Sequence, residues 1–195
     1  MLFFPVQPAR ADAGRYLSGS DYTELSTELA SLQDADGVAK PTLTVAQHQR
    51  LVDLQQLEQE IAQSEDRALL RNQTSHNLGF FARYKKDPAD QPPQFFVLSP
   101  GHSNDDDFAL VALLVPSDVA LVWGEQGTAA ANPRNPQVVR VLEGQQLSVS
   151  DATAAGGYRL SQPPFQLLDQ WKPAQTVPSL SQVALDQEQE TAPLD

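Results

Sequence analysis

The stretch FALVALLV, at residues 108–115, is the longest apolar run of the chain and the feature that decides the fold class. A run of this length is typical of a central strand in a sheet or of a short buried helix. Two neighbouring segments, QFFVL at 94–98 and VALVW at 119–123, are rich in the β-branched and aromatic residues that favour strands. Turn sequences, DPADQPP at 87–93 and PSD at 116–118, separate the three segments. We therefore expect one β domain around them.

Further short segments of the same kind continue to residue 171. Together they amount to about seven strands, which predicts an antiparallel β-sandwich or a small barrel over residues 78–171. The loop at 124–136 is long enough to be a tip that contacts something. The other candidate strands are 80–85, 137–142, 146–150, 158–161 and 165–168, and the predicted core contains Phe80 or Phe81, Phe96, Val97, Leu110, Leu113, Val122, Val139 and Leu167.

Helical periodicity begins after residue 20. Asp21 and Glu24 have the spacing of a capping box, which satisfies amide groups at a helix start. The pair Asp36-Gly37 is a stop signal, because glycine tolerates the left-handed conformation that often ends a helix. A helix between these signals presents one narrow apolar stripe, made of Tyr22, Leu25, Leu29 and Leu32.

A second helix is predicted from Thr44, with Gln47 again at capping-box spacing, to about residue 72. Residues 21–77 thus form a helical hairpin or a coiled-coil segment, since each stripe is narrow and must be covered. The cover is either the β domain of the same chain or a partner helix. The stripe residues, of which the first three are candidate partner contacts, are Leu54, Leu57, Ile61 and Ala68.

The two ends of the sequence complete an α+β organisation. Residues 1–20 are expected to be an extended arm, and residues 172–195 a disordered or partner-docked tail, because neither end has enough apolar residues to fold alone. The segment SLSQVAL at 179–185 can dock as a short linear motif. Leu180 and Leu185 are its candidate partner contacts.

Composition excludes several classes of protein. The chain has 195 residues, 13 basic and 25 acidic side chains, a formal charge of −12 and no cysteine. The acidic balance disfavours binding to phosphate backbones, so no nucleic-acid partner is expected. The lack of cysteine removes disulfides, thiolate metal sites and cysteine nucleophiles. No apolar run reaches the roughly 18 residues of a membrane helix, so no membrane insertion is expected.

The expected location is the cytoplasm. The apolar part of the N-terminus, Leu2–Val6, is too short for the core of a signal peptide and follows no basic region. A surface or exported protein is the alternative if this end is a truncated signal.

Chemistry-bearing residues are densest in FVLSPGHSNDDD, at residues 96–107. His102, Ser103 and Asp107 are the one plausible enzyme centre, although the turn lacks the glycine that a nucleophile elbow has two residues after its serine. Ser103, Asp105 and Asp107 alternate as the first ligands of a calcium loop do, so they are candidate ligands for Ca²⁺ or Mg²⁺. The alternative is a solvated acidic loop or a helix N-terminus, and we expect no cofactor.

Trp123 and Tyr158 are candidate ligand-binding residues of the β domain. An exposed aromatic ring on a concave face can stack against a small ligand or a carbohydrate.

These features favour a non-catalytic interaction or assembly protein, which acts through its helices and extended ends. The expected partner is another protein or a further copy of the chain. The first alternative is a β domain that binds a small ligand or a carbohydrate. The second is a hydrolase or a metal-dependent enzyme centred on His102, Ser103 and Asp107.

Overall fold

The protein is an α+β fold in which a helix pair precedes two β-sheets, as predicted. The computed structural model describes residues 15–36, 43–64, 68–88, 91–123, 128–130, 135–152, 157–168, 178 and 180–194. A short 3-10 turn at Arg15–Ser18 leads into the first helix. The helices are α1 (Ser20–Asp36), α2 (Val45–Gln63) and α3 (Gln182–Asp186), and the strands are β1 (Leu69–Gln73), β2 (Leu78–Tyr84), β3 (Gln94–Leu98), β4 (Phe108–Val115), β5 (Leu121–Trp123), β6 (Thr128–Ala130), β7 (Gln137–Arg140), β8 (Gln146–Ala152), β9 (Gly157–Leu160) and β10 (Gln166–Leu168).

The strands form two five-stranded sheets, which makes the β domain a sandwich rather than a barrel. The first sheet has the order β1-β8-β9-β5-β6, and the second has the order β10-β7-β4-β2-β3. The apolar run at 108–115 is β4, a central strand that lies between β2 and β7. Apolar side chains from both sheets meet in one core, where Phe80, Leu113 and Val139 are fully buried.

Most strand pairs are antiparallel, as predicted, but two pairs are parallel. β1 pairs with β8 in parallel, and β5 pairs with β9 in the same sense. Both parallel pairs lie in the first sheet. Strands that are distant in sequence must come together to make them, because a tight turn can join only antiparallel neighbours.

The helix pair packs on the sandwich of its own chain. Leu54 and Leu57 have no exposed surface, and Ile61 is 1 % exposed. We had considered these three residues as partner contacts, and the structure instead places them inside the chain. Their cover comes from α1, from the turn before it and from the sandwich, through Tyr16, Leu25, Leu29, Leu142 and Phe165.

Phe165 joins the helices to the sandwich between two guanidinium groups. The guanidinium carbons of Arg50 and Arg140 lie 5.4 Å and 5.2 Å from the centre of its ring. Arg50 is held by a bidentate ion pair with Glu28 of α1, at 2.7 and 2.9 Å. Such forked pairs fix both distance and orientation. The ion pair therefore holds the Arg50 guanidinium in place over Phe165, where the helices contact the sandwich.

The starts of the two helices differ from each other. Thr44 and Gln47 form the predicted capping box at α2. The capping box predicted for α1 is wrong: the helix begins at Ser20, and Asp21 and Glu24 each lie 2.8 Å from the Arg140 guanidinium. The sandwich thus uses these carboxylates as ion-pair partners.

The second helix is shorter than we predicted. It ends at Gln63 instead of residue 72, and residues 69–73 are β1. Leu70 and Asn72 are buried there, and the residues between and after them are exposed or partly exposed. This alternation has the period of a strand. The parallel ladder with β8 therefore overrides the helical spacing on which the prediction depended.

Other boundaries also changed. The predicted loop at 124–136 contains β6, and residues 124–127 and 131–134 lie outside the described residues. Of the predicted arm, residues 1–14 lie outside the described residues, and Tyr16 packs on the helix pair. Of the predicted tail, residues 180–194 lie on the sandwich. No helix in the described part of the chain is both long and apolar enough to cross a membrane.

Candidate functional site

Residues 180–194, which we call the strap, run across one end of the sandwich. The strap contacts the turn at 74–77, strand β3 and the loop at 99–105, and its Gln182 also contacts Asp118 and Tyr158. Its contacts are mainly hydrogen bonds, with Leu185 as its fully buried apolar side chain. We had predicted a disordered or partner-docked tail here, so the docking on the chain's own β domain is a correction.

The first anchor of the strap is Asp186. Its carboxylate accepts hydrogen bonds from His76 Nδ1 at 2.8 Å and from the Asn77 backbone N–H at 2.9 Å. Because an ionised carboxylate can only accept, the imidazole must donate its Nδ1–H. Gln182 Nε2 donates a third hydrogen bond at 2.8 Å. Burial raises the pKa of this carboxyl, but the hydrogen bonds lower it by more, so the pKa lies below its ordinary value.

The second anchor, Glu190, repeats this arrangement four residues later. Its Oε1 accepts from His102 Nδ1 at 2.8 Å and from the Ser99 backbone N–H at 2.9 Å. Burial again raises the pKa of the carboxyl, and the hydrogen bonds from His102 and Ser99 more than compensate, so the pKa is lowered. Each anchor therefore contains one carboxylate, one imidazole and one backbone amide, and the first also includes the Gln182 side chain.

Beyond the second anchor, the strap forms hydrogen bonds with backbone groups of the body, as a peptide ligand does. The N–H groups of Thr191 and Ala192 donate to the Val97 carbonyl at 3.0 and 2.9 Å. The Val97 N–H donates to the Thr191 hydroxyl at 2.9 Å. The Asp105 N–H donates to the Pro193 carbonyl at 2.9 Å. The strap therefore covers the outer edge of β3, which is the last strand of its sheet.

Tyr158 lies beneath the strap and is not an exposed platform. It is 1 % exposed, and its hydroxyl donates to Gln182 Oε1. Burial first, and the negative charge of Asp186 second, raise the pKa of the hydroxyl. Stacking by Tyr158 on a ligand, which we had considered, would require the strap to leave. Beside it lies a cleft of about 290 Å³, which is lined by His76, Asp118, Val119, Asp151, Ala152, Gly157, Tyr158 and Gln182.

Trp123, the other aromatic candidate, is partly exposed and lines a second groove of about 330 Å³. This groove lies between α2 and the last strand. Gln49 and Asp53 stand on its helical side, where Gln49 Nε2 donates to Asp53 Oδ1 at 2.9 Å. Its other walls are apolar or mixed and include Arg50, Pro164, Phe165 and Leu167.

The carboxylates of the acidic loop lie together, and two of them have partners within the chain. One oxygen from each of Asp105, Asp106 and Asp107 lies within 4.8 Å of the others. Asp107 forms an ion pair with Lys85, and Asp105 Oδ1 accepts from the Asp107 N–H at 2.7 Å. Ser103 forms a backbone bridge with Arg71. One oxygen of Asp107 and one oxygen of Asp105 thus have a partner within the chain.

The proposed enzyme centre is not assembled in the described residues. His102 contacts Glu190, Asp107 contacts Lys85, and no hydrogen bond between described residues joins either of them to the Ser103 hydroxyl. A nucleophile and its base need such a bond. His102 instead forms a hydrogen bond with Glu190 of the strap.

The predicted partner contacts in the tail have different positions. Leu185 lies on α3 and is fully buried, and Leu180 is partly buried at the start of the strap. Sequence reasoning had pointed to this segment but missed its polar anchors. The available signal was the spacing of Asp186 and Glu190, together with Ser181, which caps α3 through a 3.2 Å bond from the Ala184 N–H.

Comparisons with protein-family models, curated proteins and solved structures give no match for this chain. The contacts described above are therefore the basis for any functional proposal.

Proposed function

We propose that this chain is a non-catalytic interaction or assembly protein whose sandwich recognises an extended protein segment. One observation carries the proposal: the end of the sandwich binds the strap through β3 and two imidazole–carboxylate anchors. Addition of an extended peptide to a sheet edge is a common mode of protein recognition. The partner is accordingly another protein or a further copy of this chain, and the location is the cytoplasm.

The positions of the reactive side chains agree with a binding role. His76 and His102, which are two of the three histidines, hold the strap. Asp107 is neutralised by Lys85, and Arg50 and Arg140 hold α1. At these positions, side chains of the kinds that general acid–base chemistry uses are thus engaged in contacts that position one segment on another.

The test is association of the full chain at defined concentration. We expect a tagged full-length chain to co-purify from its source extract with a stoichiometric protein partner, or to self-associate in sedimentation velocity at about 10–100 µM, the range in which weak interfaces form. Fractionation of the same extract checks the cytoplasmic location. A chain that is recovered alone and sediments as a monomer at every concentration contradicts the proposal.

The groove at Trp123 supports a second candidate, a β domain that binds a small ligand or a carbohydrate. An aromatic wall beside a polar pair, Gln49 and Asp53, is suited to a sugar face and its hydroxyl groups. The chain has two tryptophans, so Trp171→Phe leaves Trp123 as the sole indole reporter. Saturable fluorescence changes with oligosaccharides, lost in an added Asp53→Ala exchange, would favour this candidate. A flat titration would reject it.

A further inference from the structure

The strap is attached to the sandwich as a separate ligand would be. Twelve residue steps separate Leu168, at the end of β10, from Leu180. Because the strap belongs to the same chain, its docking is governed by the local concentration of the strap near the groove.

The surface beneath the strap is a sheet edge. β3 pairs with β2 on one side only, and the strap occupies its other side at Val97. Unpaired backbone groups of an edge strand readily accept a strand from another molecule. A segment that already fits this edge is thus the natural candidate for its occupant in a complex.

We infer that two copies of this chain exchange straps, so that residues 180–194 of one copy occupy the β3 edge of the other. This inference rests on the proposed function and names its partner as a second copy. The two carboxylates of the strap match two imidazoles, and Thr191 matches the backbone of Val97. A second copy carries this pattern at the required spacing. Exchange preserves every one of these contacts, and such swapping is a low-cost route to a dimer.

The chain has no cysteine, which permits a direct crosslinking test. One full-length variant carries His102→Cys and the other carries Glu190→Cys, and the two are mixed and mildly oxidised. We expect an interchain disulfide with a yield about tenfold above that of a control mixture of His102→Cys and Glu188→Cys, because docking raises the local thiol concentration. Glu188 is exposed, and its described strap contact is made by its backbone carbonyl.

A yield equal to the control, together with an intrachain disulfide in the double variant His102→Cys plus Glu190→Cys, overturns the exchange. Since each cysteine removes half of one anchor, a second measurement uses the unmodified chain. A peptide of residues 180–194 should dissociate the self-associated chain, and the same peptide with Asp186→Asn and Glu190→Gln should need about tenfold more, given two lost charge-assisted anchors. Equal potency of the two peptides contradicts the inference.

The same experiments separate the two proposals. If the chain associates but neither crosslinks at residues 102 and 190 nor responds to the peptide, the exchange is wrong and the interaction role stands. If the chain neither associates nor acquires a partner, both proposals fail.

Discussion

Arg50 contacts Phe165 twice: its guanidinium lies over the ring, at 5.4 Å from the centre, and its Nη2 donates to the carbonyl of the same residue at 2.7 Å. One side chain of α2 thus holds both the ring and the backbone of the segment before β10. Glu28 fixes that side chain from the other helix, through a bidentate ion pair. The interface between helices and sandwich depends on this geometry.

Arg50→Met should therefore lower the free energy of unfolding by about 2 kcal/mol or more, because it leaves the Glu28 carboxylate and two carbonyls without their donor. Arg50→Lys should not restore the loss, since an ammonium group cannot form the fork. Urea unfolding measures both. Gln49→Ala is the matched control on the exposed neighbour, and it should change the stability by less than about 0.5 kcal/mol. Equal losses of stability at positions 49 and 50 would contradict this role of the Arg50 side chain.

Leu57→Asp tests the use of the α2 stripe. Leu57 has no exposed surface, so the variant buries an unpaired carboxylate and should lose about 4 kcal/mol of stability or fail to fold. Val52 lies on the same helix and is 55 % exposed, so Val52→Asp should be nearly neutral. Thermal melting and sedimentation are measured on both variants. A Leu57→Asp chain that melts unchanged but no longer associates would show that the α2 stripe contacts a partner chain.

Gly157 is the first residue of β9, and its backbone lies against Ala120, the residue just before β5. A Cβ atom there would lie 2.2 Å from the Ala120 carbonyl oxygen, which already accepts a 2.8 Å hydrogen bond from the Tyr158 N–H. Gly157→Ala should therefore shift the backbone and cost about 2–3 kcal/mol. Gly101→Ala is the control: its φ of +82° is strained for alanine, but nothing lies within 4 Å, so the cost is about 1 kcal/mol. Equal unfolding energies for the two variants would refute the steric argument.

Asn104 is a fully buried polar residue of the loop before β4. Its Oδ1 accepts from the Leu70 N–H, and its Nδ2 donates to the carbonyls of Asp105 and Phe108, at 3.1 and 2.9 Å. Asn104→Asp removes both donors and buries a charge, so it should cost about 3 kcal/mol or more. Asp106→Asn, the opposite exchange at an exposed neighbour, should be close to neutral. Chemical denaturation distinguishes the two, and a neutral Asn104→Asp would contradict this account of the loop.

The strap should make stability depend on pH in acid. The pKa values of Asp186 and Glu190 lie below their ordinary values of 3.8 and 4.5, so each ionised carboxylate stabilises the fold above these values. That contribution is lost as the pH falls through the lower folded pKa values. The slope of unfolding free energy against pH, between about pH 5 and pH 2, should flatten in the double variant Asp186→Asn plus Glu190→Gln. The double variant Asp106→Asn plus Glu188→Gln removes two exposed carboxylates and should keep the slope; flattening in both would refute the strap as the cause.

The strands could be predicted from sequence because their signal is local. Apolar runs such as Phe108–Val115 and Gln94–Leu98 appear as strands with the predicted bounds. The predicted core residues Val97, Leu110, Leu113, Val122 and Val139 are buried, and Phe96 and Leu167 are partly buried. Phe80 and Phe81 are both fully buried, because their strand has apolar neighbours on each face.

The errors occur where distant residues decide the outcome. Residues 69–72 fell within the predicted second helix, whose stripe ends at Ala68, and the ladder with β8 makes residues 69–73 a strand. Asp21 and Glu24 fit a capping box, and only Arg140, more than a hundred residues away, draws them elsewhere. The anchors at Asp186 and Glu190 depend on imidazoles about a hundred residues earlier. Local patterns contain no information on such pairings.

The strap, at residues 180–194, is among the last parts of the chain to be synthesised. Thr191 follows Val97, whose backbone it covers, by 94 residues. The β3 edge of a nascent chain therefore cannot receive the strap of its own chain until the intervening residues have been translated. Copies made on one messenger emerge side by side during that interval, when unpaired strand edges are most exposed to association. Pairing between neighbours on a polysome would then precede, and compete with, closure of each chain upon itself.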